Sequence, residues 1–145
     1  MPAADFSEIK RAVKRCMVNR MEIQAGYVFG SAAGGRMHPN SDIDIAILLD
    51  ERVRRDRFFD YRLKLMAEFG SALRTPRVDV IVLNQATPLL AHRVLSQGEL
   101  VFERPASARV RFQVRTASRY LDLIPMFETH IRYLKKGARA GRFIG

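Results

Sequence analysis

The chain has 145 residues, of which 48% are hydrophobic and 28% charged, a globular composition sized for one domain rather than a disordered chain. No run of about 18 uncharged apolar residues occurs, which excludes a spanning helix, and the single cysteine, Cys16, excludes a disulfide framework and a cysteine-rich zinc site. The formal charge is +10, and residues 104–145 hold 10 of the basic and only 2 of the acidic side chains, so an acidic partner (RNA, DNA or a protein surface) and a plain solvated basic face both remain open.

The start, Met1 to Glu8, is acidic and has no apolar stretch of the secretory type, so a reducing, cytoplasmic setting is expected. Asp5 with Glu8 has capping-box spacing for a first helix. Ile9, Ala12, Val13, Cys16 and Met17 repeat at helical spacing behind a wet face of Lys10, Arg11, Lys14 and Arg15, and the helix should end near Arg20 or Met21. Ala25 to Phe29 reads as a strand, Gly30 to Gly35 as a loop or single turn, and His38 to Ser41 as a turn. Asp42 to Leu49, rich in isoleucine, reads as the second strand. Asp50 is the candidate N-cap of a long helix over about residues 51–73, with Phe58, Phe59, Leu63, Leu65, Met66 and Phe69 on its apolar side. Thr75-Pro76 breaks that pattern, and Val78 to Leu83 is the third strand. Thr87-Pro88 is a helix start with proline at the first position, and that helix should end at Gln97-Gly98. Leu100 to Phe102 is a candidate edge strand. The remainder, about residues 105–136, is helical in pattern, with Pro125 expected to kink or split it and Gly137 to Gly145 expected to fray.

The element order predicts an α/β fold: a small sheet with flanking helices, in a single domain over 1–145 with its core at about 20–103 and a basic helical segment at about 105–136.

Three carboxylates stand where apolar residues are expected. Asp42 and Asp44 bracket Ile43 in an apolar strand, and side chains two apart on a strand share a face. Asp79 lies inside the run Val78 to Leu83 and reaches the same patch if the two strands are neighbours. Burying clustered carboxylates is unfavourable, and neither strand carries an interleaved Lys or Arg. A hard divalent cation such as Mg2+ resolves the repulsion; the alternative places these residues at strand ends or a solvated edge. Upstream, Gly30-Ser31 follows a strand, where a glycine lets the backbone approach an anion and a hydroxyl can bond a phosphate oxygen.

Gly30-Ser31, ten intervening residues, then Asp42-Ile43-Asp44 closely resembles the signature of the polymerase-beta-like nucleotidyltransferase superfamily. The flanking segments Tyr27 to Ser31, Ser41 to Leu49 and Val78 to Asn84 agree, and the resemblance covers most of residues 25–103. With no room for a separate substrate-binding domain, the chain is similar to the minimal nucleotidyltransferase group, whose members are commonly antitoxins paired with a HEPN-domain ribonuclease toxin. One position departs: Gly34 stands where that family often has arginine, and Arg36 is the candidate substitute.

The resemblance implies a polymerase-beta-like fold and transfer of AMP from ATP to a tyrosine of a HEPN toxin, in a hetero-oligomer. It assigns Asp42 and Asp44 to Mg2+, Asp79 to a second ion and to deprotonating the acceptor hydroxyl, and Gly30, Ser31 and Arg36 to the nucleotide. The alternatives are transfer to RNA such as tRNA, favoured by the basic tail, and an antitoxin that acts by binding alone. Arg111, Arg115 and Arg119 form one helical stripe, with Val110, Val114, Ala117, Leu121 and Ile124 on another face; this segment either docks on a partner or packs on its own domain. His38, His92 and His130 have no metal-ligand spacing. Cys16, Tyr27 and Phe29 read as core, Tyr120 and Tyr133 as packing residues, and Asp56, Asp60 and Glu68 as solvated charges.

Overall fold

In a computed structural model, residues 5–30, 42–104 and 108–139 are described. Helix α1 (Phe6–Val18) starts where the sequence places it. Asp5 is extended, and its carboxylate accepts from the backbone N–H groups of Ser7 and Glu8, a cap worth about 1 kcal/mol. The helix lays Ile9, Val13 and Met17 on the core with Cys16 beside them. Arg104 closes the far end: its guanidinium donates to the carbonyls of Arg20 (2.7 Å) and Ile23 (2.8 Å).

Strand β1 (Ile23–Phe29) begins two residues earlier than expected. It pairs antiparallel with β2 (Ile43–Leu49), which pairs parallel with β3 (Val78–Val82), while β4 (Glu99–Glu103) joins the other side of β1. The strand order is β3-β2-β1-β4, so the expected edge strand is an edge, and β3 is the opposite one. A parallel neighbour requires a crossover, supplied here by α2 (Phe58–Leu73).

That helix does not begin at Asp50. Residues 51–54 form turns, Arg55–Arg57 a single 3-10 turn, and α2 starts at Phe58. The Asp50 carboxylate is spent on the backbone N–H and guanidinium of Arg52 (2.9 and 3.1 Å). Nor do all six expected apolar residues face inward: Phe58, Leu65 and Phe69 are buried, whereas Phe59 is 62% and Leu63 49% exposed. The helix ends on Arg74 in the left-handed region (φ 56°).

The third strand stops at Val82, and Leu83 opens a 3-10 turn. Asn84 in that turn extends the ladder with its side chain. Its Nδ2 donates to the Leu49 carbonyl and its Oδ1 accepts from the Leu49 N–H, both at 2.8 Å. Helix α3 (Pro88–Gln97) is capped by the Thr87 hydroxyl, as its sequence predicts. Helix α4 (Ala108–Arg139) runs unbroken through Pro125, which therefore does not split it, and takes in Gly137, where fraying is expected; residues 140–145 lie outside the described residues. Proline disrupts a helix by its missing N–H and by a clash with the carbonyl four residues back. Here that residue is Leu121, on the exposed half of the helix, where small displacements meet only solvent.

The sheet divides two apolar clusters. On one face α1 and α2 cover Ile43, Ile45, Ile47, Val78 and Val80; on the other α3 and α4 cover Ala25, Tyr27, Ala46 and Leu48. Alternation along β2 therefore places Asp44 on the α3–α4 side. Among the described residues no helix is long and apolar enough to cross a membrane.

Candidate active site

Asp44 and Asp79 are direct partners in the parallel β2–β3 register, so their side chains project on one face of neighbouring strands, as the sequence predicts. Asp42 lies one residue before β2 and is exposed. On the other side of β2, Phe29 at the end of β1 pairs with Asp44, and the next residue is Gly30. Its backbone has φ +76°, and a Cβ placed there would overlap the Asp44 carboxylate. Glycine is required at this position twice, once for the positive φ and once for the approach to Asp44. Ser31 and Arg36, the other expected nucleotide ligands, and Gly34 lie outside the described residues, as do the loop and the turn around His38.

The electrostatics of the two paired acids differ. Burial, then Asp79, then Asp42 push the Asp44 carboxyl above the usual carboxylate range; it is an acid short of compensating charge. Asp79 has a partner that the strand pattern does not reveal: Nη2 of Arg62 donates to its Oδ1 at 3.0 Å. Because β3 is an edge strand, a long side chain from α2 reaches around it. The signal for Arg62 emerges once the inward stripe of α2 is known. The buried positions of α2 are Phe58, Leu65 and Phe69, and Arg62 sits between them at the 4-3-4 spacing of that inward stripe. A guanidinium on an inward stripe is rarely idle. Its Nε is buried without a partner.

Among the described residues no three His, Cys, Asp or Glu side chains are already gathered as a metal cage. What is present is a pair of carboxylates in register, one raised in pKa by burial and then by its acidic neighbours, and one held by an arginine. Such oxygen donors with unrelieved like charge fit a hard cation.

Burial raises the Cys16 thiol, with Glu68 second, which makes it packing rather than nucleophile. Tyr27 is buried and Phe29 half-buried in strand β1. His92 is half-buried and stacks on Tyr120 with ring centroids 3.6 Å apart. Tyr133 is exposed rather than packed. Glu68 is paired with Arg20 at 2.6 Å rather than merely solvated.

A model of the family "Polymerase beta, Nucleotidyltransferase" matches residues 11–107. The chain is 32% identical over 113 residues to the protein adenylyltransferase MntA of Shewanella oneidensis, covering 78% of this chain and 77% of the relative. Among solved structures it is similar to a toxin–antitoxin with AMP-PNP (TM-score 0.66, 28% identity, 91% of this chain and 99% of the other). It is likewise similar to a complex of tri-AMPylated Shewanella oneidensis HEPN toxin with MNT antitoxin (TM-score 0.66, 25% identity, 91% and 99%). With acids and glycine meeting where two strand starts face one strand end, and with the family model spanning the whole sheet, the chain belongs to the polymerase beta nucleotidyltransferase family.

Proposed function

We propose that this chain is a protein adenylyltransferase antitoxin that transfers AMP from ATP to a tyrosine of a cognate HEPN toxin and so silences it, within a hetero-oligomer of the two. The observation that carries the reading is the Asp44–Asp79 register with Gly30 closed against Asp44. It is supported by the similarity to an adenylyltransferase and to a complex containing an AMPylated HEPN toxin.

In the reaction, the tyrosine oxygen forms a bond to the α-phosphorus, the bond to the bridging oxygen of pyrophosphate breaks, and the phenolic proton is lost. Asp42 and Asp44 are the side chains that would hold Mg2+, with Asp79 as the shared donor toward a second ion. When bound, Mg2+ supplies charge compensation on the triphosphate and the departing pyrophosphate. Asp79 is the acceptor for the phenolic proton, and Arg62 fixes its orientation through Oδ1. Gly30 lets the backbone reach the triphosphate, and Ser31 and Arg36 are the further nucleotide ligands that the family resemblance implies. These residues contribute placement and charge rather than a covalent intermediate.

The test is an incubation of the co-purified toxin with labelled ATP and Mg2+, followed by mass analysis of the toxin. The expected result is addition of AMP to a tyrosine by the native chain and none by a folded Asp42→Asn/Asp44→Asn variant. Undiminished transfer by that variant defeats the site. If the variant still protects cells from the toxin, neutralisation is by contact alone.

A further inference from the structure

The expected arginine stripe of α4 does not point away from the domain. Arg111, Arg115 and Arg119 line one side of a groove of about 520 Å³ between α4 and the turns after β2, and Arg52 and Arg55 line the facing side. Val110, Val114 and Leu121 are exposed on another side of the helix. We propose that this groove binds a single strand of nucleic acid along its phosphodiester backbone. The site goes beyond the transfer reaction and does not depend on it. It opens at the Asp50 end of β2, six residues from Asp44, roughly 20 Å away at the usual strand rise.

Three features favour this occupant. The stripe is linear: residues four apart on a helix rise about 6 Å, close to the step between successive phosphates of an extended strand. All five cations are arginines, which present paired donors to phosphate. The lining is also mixed. Phe112 and Pro88 give it an apolar part, and Asp50 and Glu51 stand among the arginines, with Glu51 3.7 Å from Arg115. Bases offer flat faces for the first and N–H donors for the second. An acidic peptide brings only further negative charge toward Asp50 and Glu51. The groove is too small for a duplex. It is anchored independently of its arginines: Thr116 is buried, Tyr120 stacks on His92, and Phe112 packs on the cluster beneath.

The experiment is fluorescence anisotropy of the full chain with labelled RNA and DNA strands of about 12 nucleotides and mixed sequence, within the usual range of single-strand sites, across a salt series. An Arg115→Gln/Arg119→Gln variant should bind roughly tenfold or more weakly at low salt. The slope of log affinity against log salt should fall by about 0.7 for each arginine removed. Arg52→Gln/Arg55→Gln, on the facing wall, should behave alike. Arg11→Gln/Lys14→Gln on α1, which removes the same net charge elsewhere, should bind as the native chain does. Binding of either sugar type with this pattern supports the groove and identifies its strand. Equal weakening by the α1 variant, absence of binding at low salt, or displacement of the strand by an equimolar Glu-rich peptide overturns it. Thermal melts of each variant, unchanged from native, separate lost binding from lost fold.

Discussion

Removing the Asp44 charge should stabilise the empty protein while abolishing its transfer activity. Paired residues on adjacent strands are separated by about 5 Å, and two unit charges at that distance repel by about 1 kcal/mol in water and about 3 kcal/mol in a protein-like surface environment. The site is partly open, and Arg62 offsets Asp79, so the lower figure applies. Asp44→Asn should then raise stability by about 1 kcal/mol, or roughly 3 °C in Tm for a chain of this size. Asp79→Asn relieves the same repulsion but abandons Arg62, a half-exposed pair worth about 0.5–1 kcal/mol, so its Tm should move little. The sign with pH follows from the raised Asp44 carboxyl. The folded chain binds that proton at higher pH than the unfolded chain, so stability is lost as pH rises from the ordinary carboxylate value through the raised one. The gap between native and Asp44→Asn is therefore full above the raised pKa and closes as pH falls through it. The assay is thermal unfolding by circular dichroism in excess chelator over a pH series. Mg2+ added afterwards should stabilise the native chain and not the variant. A lower Tm for Asp44→Asn, or an equal gain for Asp79→Asn, refutes the charge account of this site.

Gly30→Ala should cost about 1–2 kcal/mol for the left-handed backbone alone and displace Asp44, so AMP transfer should fall more steeply than the melting temperature; a variant with native transfer would show that the close approach is dispensable. Arg104→Ala should lower stability in urea by about 2 kcal/mol with an unchanged m value, since it strips charged donors from the carbonyls between α1 and β1; Arg104→Lys, with one donor group in place of the fork, should recover less than half. Pro125→Ala restores a helical N–H on the exposed half of α4. It should deepen the helical ellipticity while shifting Tm by no more than about 1 °C, because that half opens independently of the core.

Much of this arrangement is legible in the residues, and the failures have local causes. Asp5 and Thr87-Pro88 announce helix starts because capping needs only a few neighbouring atoms. The acids of β2 and β3 stand out because a carboxylate in an apolar strand demands compensation. Asp50 misleads because an aspartate suits a turn as well as a cap, and from Arg54 to Arg57 every side chain is charged, leaving no apolar anchor for a helix before Phe58. Phe59 and Leu63 mislead because six apolar residues on α2 exceed one stripe, and composition does not say which stripe faces the sheet. Arg62 settles that only in hindsight, as the polar member of the inward set. The direction of the arginine stripe on α4 is set by where Phe112 and Thr116 bury, which is decided by α3 and β1 and not by the helix itself.

The mixed pairing of the sheet is what assembles the site. An antiparallel neighbour brings the end of β1, and with it Gly30, to the start of β2; a parallel neighbour brings the start of β3 to the same place. Asp79 is the second residue of a five-residue strand. Were β3 antiparallel over the same span, Asp79 would oppose Ala46, two residues or about 7 Å along β2 from Asp44 at the usual rise, and the two acids would no longer be direct partners. The crossover that parallel pairing requires is α2, and α2 is also the element that carries Arg62. One topological choice therefore gathers the acids and delivers a protein cation to Asp79 while leaving Asp44 uncompensated. That imbalance lowers the stability of the empty fold and keeps charge at Asp44 available to a ligand, the pattern expected where a sequence gives up local consistency for chemistry.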